Sequence, residues 1–206
     1  MTIDSLSQAT GTRGPAEHTI RDQIVQAADE HFRHYGYAKT TVSDLAKAIG
    51  FSKAYIYKFF DSKQAIGEAI CTNCLDTLLA DAQAAVTQGK SATEKFRRLF
   101  KSITESSVKL MFEDRRLYDI ATHSAMEQWE SGLAYLERLT AMVREILLEG
   151  RQSGEFERKT PLDETCRAIM YATEPFTHPV MLEKHLDALP DGPNEVINLV
   201  LRSLAP

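Results

Sequence analysis

Apolar residues along this chain recur at three- and four-residue spacing, the interval that gathers them on one face of an α-helix. Ile20, Ile24, Ala27, Ala28 and Phe32 form such a stripe and predict a first helix over about 17–35, closed by Gly36. Thr41 and Asp44 make a capping box that opens a short second helix with Val42, Leu45, Ala46 and Ile49 inward; Gly50 ends it. Ser52 caps a third helix reaching Phe60, and Asp61 or Ser62 caps a fourth that runs to about Thr87. Beyond a break at 88–91, the same periodicity predicts helices over about 92–111, 115–125, 127–149, 161–173 and 194–204. Residues 150–161 read as a loop, Pro175 and Pro179 as interruptions, and 190–193 as a hard stop. No Asn-Gly or Asp-Gly turn separates alternating apolar runs, and no internal repeat is visible. The pattern predicts an all-α fold.

Composition narrows the class. The apolar fraction of 43% and the charged fraction of 26% are those of a folded globular chain, which excludes wholesale disorder. No run approaches the roughly 20 apolar residues of a membrane span, so no membrane partner is expected. The first 18 residues lack the apolar segment of a secretory signal. Three cysteines, an odd number, make no disulfide framework and fit a reducing cytoplasm.

A net charge of −5 argues against nucleic acid until its distribution is considered. Between His31 and Lys63 stand six Lys or Arg and two Asp, whereas the chain from Cys71 onward carries 16 cations and 21 anions. A small basic patch thus sits on an acidic body, and phosphate responds to the patch.

The patch coincides with the most informative stretch, residues 40–66. Two short helices joined at a glycine form a helix-turn-helix, in which the second helix enters a major groove while the first crosses the backbone. Stepping 100° per residue from Ile56 puts Phe60 and Phe59 near the inward side. Ala54 and Lys58 point away, with Tyr55 and Tyr57 on the flanks. That outward surface is cationic, aromatic and small, with no anion. Lysine bonds phosphate or a guanine edge, a tyrosine hydroxyl bonds phosphate, and alanine allows close approach to a thymine methyl.

At these residues the sequence resembles the TetR family of transcriptional regulators. The match consists of Gly36-Tyr37, Thr40-Thr41-Val42, Leu45-Ala46, Ile49-Gly50, Phe51-Ser52, Ile56-Tyr57, Phe59-Phe60 and Ser62-Lys63, in order and at the right spacing, over about 20–70. The resemblance implies a homodimeric, all-helical regulator. An N-terminal helix-turn-helix DNA-binding domain is followed by a larger helical ligand-binding and dimerisation domain. It implies double-stranded DNA with a palindromic operator as one partner, a small-molecule effector as another, and most often repression. Tyr57 and Lys63 match phosphate contacts, as does Thr41, while Lys53 and Ala54 match positions that face bases. Tyr55 stands where a smaller residue is usual, Lys58 where His or Trp is frequent, and Ser43 where Arg is often found, so operator sequence is not carried over. The DNA-contacting set is therefore Thr41, Ser43, Ser52, Lys53, Ala54, Tyr55, Tyr57, Lys58 and Lys63. The expected division is a tail over 1–17, the DNA-binding domain over 18–66 and the ligand-binding and dimerisation domain over 67–206.

The rest of the chain offers weaker signals. Met111, Tyr118, Met126 and Trp129, with Tyr171 and Phe176 around Pro175, are candidates to line a ligand pocket or to be plain core. Cys71 and Cys74 share a helical face and, with Cys166, suggest thiol sensing or ordinary packing. A DNA-binding dimer controlled by a protein partner or by cysteine oxidation is the alternative to a ligand-responsive one. His123, His178 and His185 are scattered, and no metal or cofactor is expected. The chain contains no nucleophile elbow, P-loop or HExxH sequence, so no enzymatic activity is expected either. A dimer interface is expected from Leu162, Cys166 and Ile169 on one helix and Val196, Ile197, Val200 and Leu201 on the last. The last helix is apolar over more than a single stripe, and burial within its own domain competes for the same residues.

Overall fold

The computed structural model describes residues 14–206, with side chains from His18 onward; of the expected tail over 1–17, residues 1–13 lie outside the described residues and 14–17 belong to the first helix. All regular structure among the described residues is helical: α1 Gly14–Tyr35, α2 Val42–Ile49, α3 Lys53–Ile56, α4 Lys63–Thr87, α5 Ala92–Glu113, α6 Arg115–Met126, α7 Glu130–Ser153, α8 Leu162–Thr177, α9 Pro179–Leu182 and α10 Asp191–Ser203. A 3₁₀ turn over Glu183–Ala188 joins the last two. The all-α prediction holds, and the differences lie at boundaries.

Two apolar clusters organise these helices. One is built from α1, α2, α3 and the first half of α4, around Ile24, Phe32, Leu45, Ile56 and Ile66. It also takes in Leu117 and Ile120 of α6 and Trp129, so the head borrows part of its core from beyond residue 100. The other joins the second half of α4 to α5, α7, α8 and α10 around Phe96, Leu99, Leu139 and Val143. α4 runs unbroken through both, and it packs most extensively on α5 and α7. Each cluster buries large side chains completely, which supplies the main stabilisation.

Three local departures have physical causes. α3 keeps α-helical form only over Lys53–Ile56; past it the bonds tighten to the i−3 pattern, with Lys58 N–H on the Tyr55 carbonyl at 3.2 Å. Pro175 does not break α8, which continues to Thr177 because Phe176 and Thr177 are both buried. The stop at 190–193 is instead the first turn of α10, where backbone N–H groups lack helical partners and Pro193 forfeits nothing.

Candidate functional site

The head is assembled by caps. Asp44 N–H donates to Thr41 Oγ1 at 3.2 Å, and Thr41 N–H donates to Asp44 Oδ2 at 3.0 Å. The Thr41 hydroxyl, donating to Asp44 Oδ2 at 2.6 Å, and then the Thr41 N–H hold the Asp44 carboxyl below the ordinary range. Gly50 then takes φ +77°, a left-handed conformation that side-chain-bearing residues resist, and so reverses the chain into α3. Ser52 Oγ accepts from Tyr55 N–H at 3.1 Å, and Ser62 Oγ accepts from Ala65 N–H at 3.0 Å.

Below this turn Ile56 and Phe60 are buried, and Phe59 is half-buried. Above it Lys53, Ala54, Tyr57 and Lys58 are exposed, as are Thr41 and Ser52. Ser43 and Tyr55 are half-buried; the Tyr55 ring packs edge-on between Phe51 and Phe59. The helical wheel is thus realised, and the exposed face carries no carboxylate from Ser52 to Phe60. Lys53 Nζ lies 5.7 Å from the Tyr57 ring and Lys58 Nζ 5.5 Å from the Tyr55 ring, which keeps both amines at the surface.

Lys63 is placed differently. Its ammonium donates to the Tyr37 carbonyl at 3.0 Å and sits 4.2 Å from the Tyr37 ring centre. Burial lowers its pKa, with Glu127 opposing. Tyr37 in turn meets both Trp129 and His123 edge-on, each at 5.4 Å. Burial pushes the Tyr37 hydroxyl up to about 12. The Trp129 indole N–H donates to Glu127 Oε2 at 2.9 Å. Gly67 completes the junction: a Cβ there would lie 2.9 Å from Tyr37 and 3.1 Å from Trp129. Lys63, at the edge of the exposed basic face, is therefore tied, ring by ring, to the α6–α7 corner.

That corner is also the wall of a half-open pocket of about 220 Å³ between α4, α5, α6, α7 and the α8–α9 junction. Ser124, Gln128 and Gly132 line it. The Ser124 carbonyl accepts from Trp129 N–H at 2.9 Å, and Gln128 takes φ +52°, a conformation few non-glycine residues adopt. Of the six sequence-predicted pocket residues, only Tyr118 lines this cavity. Met126 and Tyr171 are exposed, and Trp129 is buried in the head cluster. Met111 and Phe176 are buried elsewhere. Leu75, Leu78, Leu133 and Leu136, which the sequence did not single out, line it instead, together with Glu174 and His178 beside Pro175. A larger open groove of about 850 Å³ between α1, α4 and α5 mixes Arg21, Arg33 and Lys109 with five carboxylates.

The expected dimer residues divide by burial within the protomer. Cys166, Ile169, Ile197 and Val200 are already buried within the protomer, and Leu162, Val196 and Leu201 are half-buried against the same cluster. The outward faces of α8 and α10 carry Tyr171 and Leu199, 72% and 61% exposed. The cysteines do not converge. Cys71 and Cys74 pack at the head cluster, and Cys166 belongs to the other. Burial raises the pKa of all three thiols, that of Cys74 to about 12, which keeps them protonated and slow to oxidise. No group of His, Cys, Asp and Glu among the described residues is arranged to hold a metal ion, and no described helix is long and apolar enough to cross a membrane.

Known proteins share these features. Residues 24–70 match the family model for bacterial regulatory proteins of the tetR family, and residues 92–193 match the tetracyclin repressor-like C-terminal domain. The transcriptional repressor KstR2 of Mycolicibacterium smegmatis is 27% identical over 160 residues, covering 74% of this chain and 75% of that protein. The biofilm operon regulator IcaR of Staphylococcus aureus is 39% identical over 59 residues, 29% of this chain and 32% of its own. The fold is that of FadR from Bacillus subtilis, solved with stearoyl-CoA: TM-score 0.64 at 23% identity, over 89% of this chain and 98% of that one.

Proposed function

The chain belongs to the TetR family of bacterial transcriptional regulators, and from that premise we propose that it is a cytoplasmic repressor binding a palindromic operator as a homodimer and released by a small molecule. The observation that carries the reading is the face of Lys53, Ala54, Tyr57 and Lys58, exposed, free of carboxylates and held rigid by the Ser52 cap. Lys53 and Ala54 meet base edges; Thr41, Ser43, Ser52, Tyr55, Tyr57, Lys58 and Lys63 serve phosphates or support those that do. We assign DNA reading to 18–66 and effector binding and dimerisation to 67–206. The cut falls inside α4, so the two share a rigid helix rather than a linker.

One recognition helix reads too few base pairs to single out a genomic site, and a two-fold dimer doubles the contacts at fixed spacing. Tyr171 and Leu199 favour the outer faces of α8 and α10 as the interface. The effector seats in the cavity beside Ser124 and Gln128. Movement of that corner shifts Trp129 against Tyr37, and with it Lys63 and the head. An effector releases DNA only to the extent that it prefers the shifted state.

The test is selection of binding sites from a random duplex library, followed by sedimentation. The selected sequences are expected to be palindromic. Tyr171→Glu combined with Leu199→Glu is expected to give helical monomers that bind the selected duplex far more weakly. Asymmetric selected sites, or a double variant that stays dimeric, would overturn the corresponding part of the proposal.

A further inference from the structure

We propose that Arg33 is a positioning residue for DNA reading: through its ion pair with Asp114 it fixes the angle at which the head meets the helices from α5 onward, and with it the distance between the two recognition helices of a dimer. The inference rests on the dimeric reading only for its consequence at DNA.

Asp114 is the whole of the joint between α5, which ends at Glu113, and α6, which begins at Arg115. Its polar groups are shared among three helices. The N–H donates to the Leu110 carbonyl of α5 at 2.9 Å, and the carbonyl accepts from Tyr118 N–H of α6 at 3.0 Å. Oδ1 accepts from Leu117 N–H at 3.2 Å and so caps α6. Oδ2 is paired with Nη1 of Arg33, in the last turn of α1. One residue thus ends α5, starts α6 and holds the head.

Arg33 is presented to it in a fixed position. Its Nε donates to Asp29 Oδ2 at 2.9 Å, one turn back on α1, so the planar guanidinium spans a carboxylate of its own helix and one of the α5–α6 joint. A second close approach lies beside it. Gly36, which follows α1 at φ +87°, has Arg116 Nη1 3.2 Å from where a Cβ would stand. The end of α1 therefore meets the start of α6 at two places.

α6 faces both ways. Leu117 and Ile120 enter the head core, while Tyr118, Ala121 and Ser124 line the pocket. Apolar contacts of that kind are non-directional, whereas a charge-assisted bond from a guanidinium fixes direction. The pair is 42% exposed at Arg33 and 21% at Asp114, so it adds little to stability, and its contribution is orientation. In a two-fold dimer a tilt of either head moves its recognition helix, and successive major grooves accept the two helices at a set separation.

The experiment makes two measurements on the full chain. Electron–electron double resonance between spin labels at Lys47→Cys in α2 and Lys101→Cys in α5, with labelled protein diluted in unlabelled chain, reads the head-to-body distance. Both positions are exposed, whereas the native thiols are buried or half-buried. Titration of duplexes carrying one half-site, two at the selected spacing, or two set one base pair further apart, a shift of roughly 3.4 Å, reads DNA. The variants are Arg33→Gln, Asp114→Asn, which keeps an oxygen to cap α6, and the two combined. The distance is expected to be narrow in the wild type, broader in each single variant and no broader in the double. The preference for the selected spacing is expected to fall about fivefold, the reach of one partly exposed ion pair, with half-site affinity unchanged. A distance as narrow in both single variants as in the wild type, a double variant broader than either, a spacing preference that survives both substitutions, or a matching loss of half-site affinity would each overturn the proposal. Broadened distances with a wild type indifferent to spacing uphold the role of Arg33 and count against the dimeric operator reading. Unchanged distances with strict spacing do the reverse.

Discussion

Helices α2 and α5 both begin with a local cap, but only α5 adds a distant one. α2 is capped by Thr41 and Asp44, three positions apart in the chain. In α5 Ser91 Oγ accepts from Glu94 N–H at 3.1 Å, and Ala92 and Thr93 N–H also donate to the Glu155 carboxylate at 3.0 and 3.1 Å, from 63 and 62 positions away. The contrast extends to the whole molecule. The head is specified by local chemistry, with caps, a left-handed glycine and short spacings. The body is specified by which distant helix faces meet. Local signals survive in a bare sequence, whereas a periodic stripe says only that a face is inward and not which interior it joins.

Trp129 shows where that limit falls. Its apolar bulk is plain in the sequence, and a pocket wall in the body is a natural expectation. The structure instead seats it in the head core, between Gly67 and Tyr37. The same limit applies to the expected dimer residues: α10 uses its wide apolar face to cover Phe96 and its neighbours, so Ile197 and Val200 are buried inside the protomer, while Leu162, Val196 and Leu201 stay half-buried. The exposed and buried sides of α3, by contrast, were readable residue by residue, because a helical wheel anchored on one buried isoleucine requires no long-range information.

The comparison is broken most severely at Trp129. If the head truly borrows core from α6 and α7, Trp129→Ala should cost about 3–5 kcal/mol, as large aromatic truncations do. Hydrogen exchange should then rise in α1 and α2, not only around the mutated corner. Denaturant titration with exchange mass spectrometry measures both, and loss of protection confined to α6 and α7 would mean that the head is self-sufficient.

The recognition face is sharpened by smaller changes. Lys53→Ala should cost roughly 1–3 kcal/mol at one base position and relax preference there. Tyr57→Phe and Lys63→Ala should weaken binding to every duplex alike, since phosphate contacts carry no sequence information. Lys63→Ala should in addition loosen Tyr37, because it removes the ammonium bonded to that carbonyl. Titrating operator variants at fixed salt separates the two classes, and an unchanged preference in Lys53→Ala would remove that residue from base reading.

The smallest effects lie in the caps themselves, and there pH distinguishes near from far. Thr41→Ala and Glu155→Ala should each cost about 1 kcal/mol, the usual value of a lost helix cap. A cost of that size lowers the Tm of a chain this long by roughly 2–4 °C. The Glu155 carboxyl is held down to about 2, chiefly by the Thr93 and Ala92 amides. In the unfolded chain a glutamate titrates near ~4.3. The folded state thus binds the proton less readily, so this contribution is complete above about pH 4.3 and is lost as pH falls toward about 2. Glu155→Gln, which keeps an acceptor oxygen but cannot ionise, should therefore be less stable than wild type at neutral pH and converge with it in acid. Asp44 shifts in the same direction through Thr41, so Thr41→Ala should converge similarly, but its unfolding should begin in the head. Denaturant melts at several acidic pH values, read by exchange in α2 against α5, make the distinction. A Glu155→Gln deficit that persists undiminished at the lowest pH would show that the long-range cap stabilises by packing and not by charge.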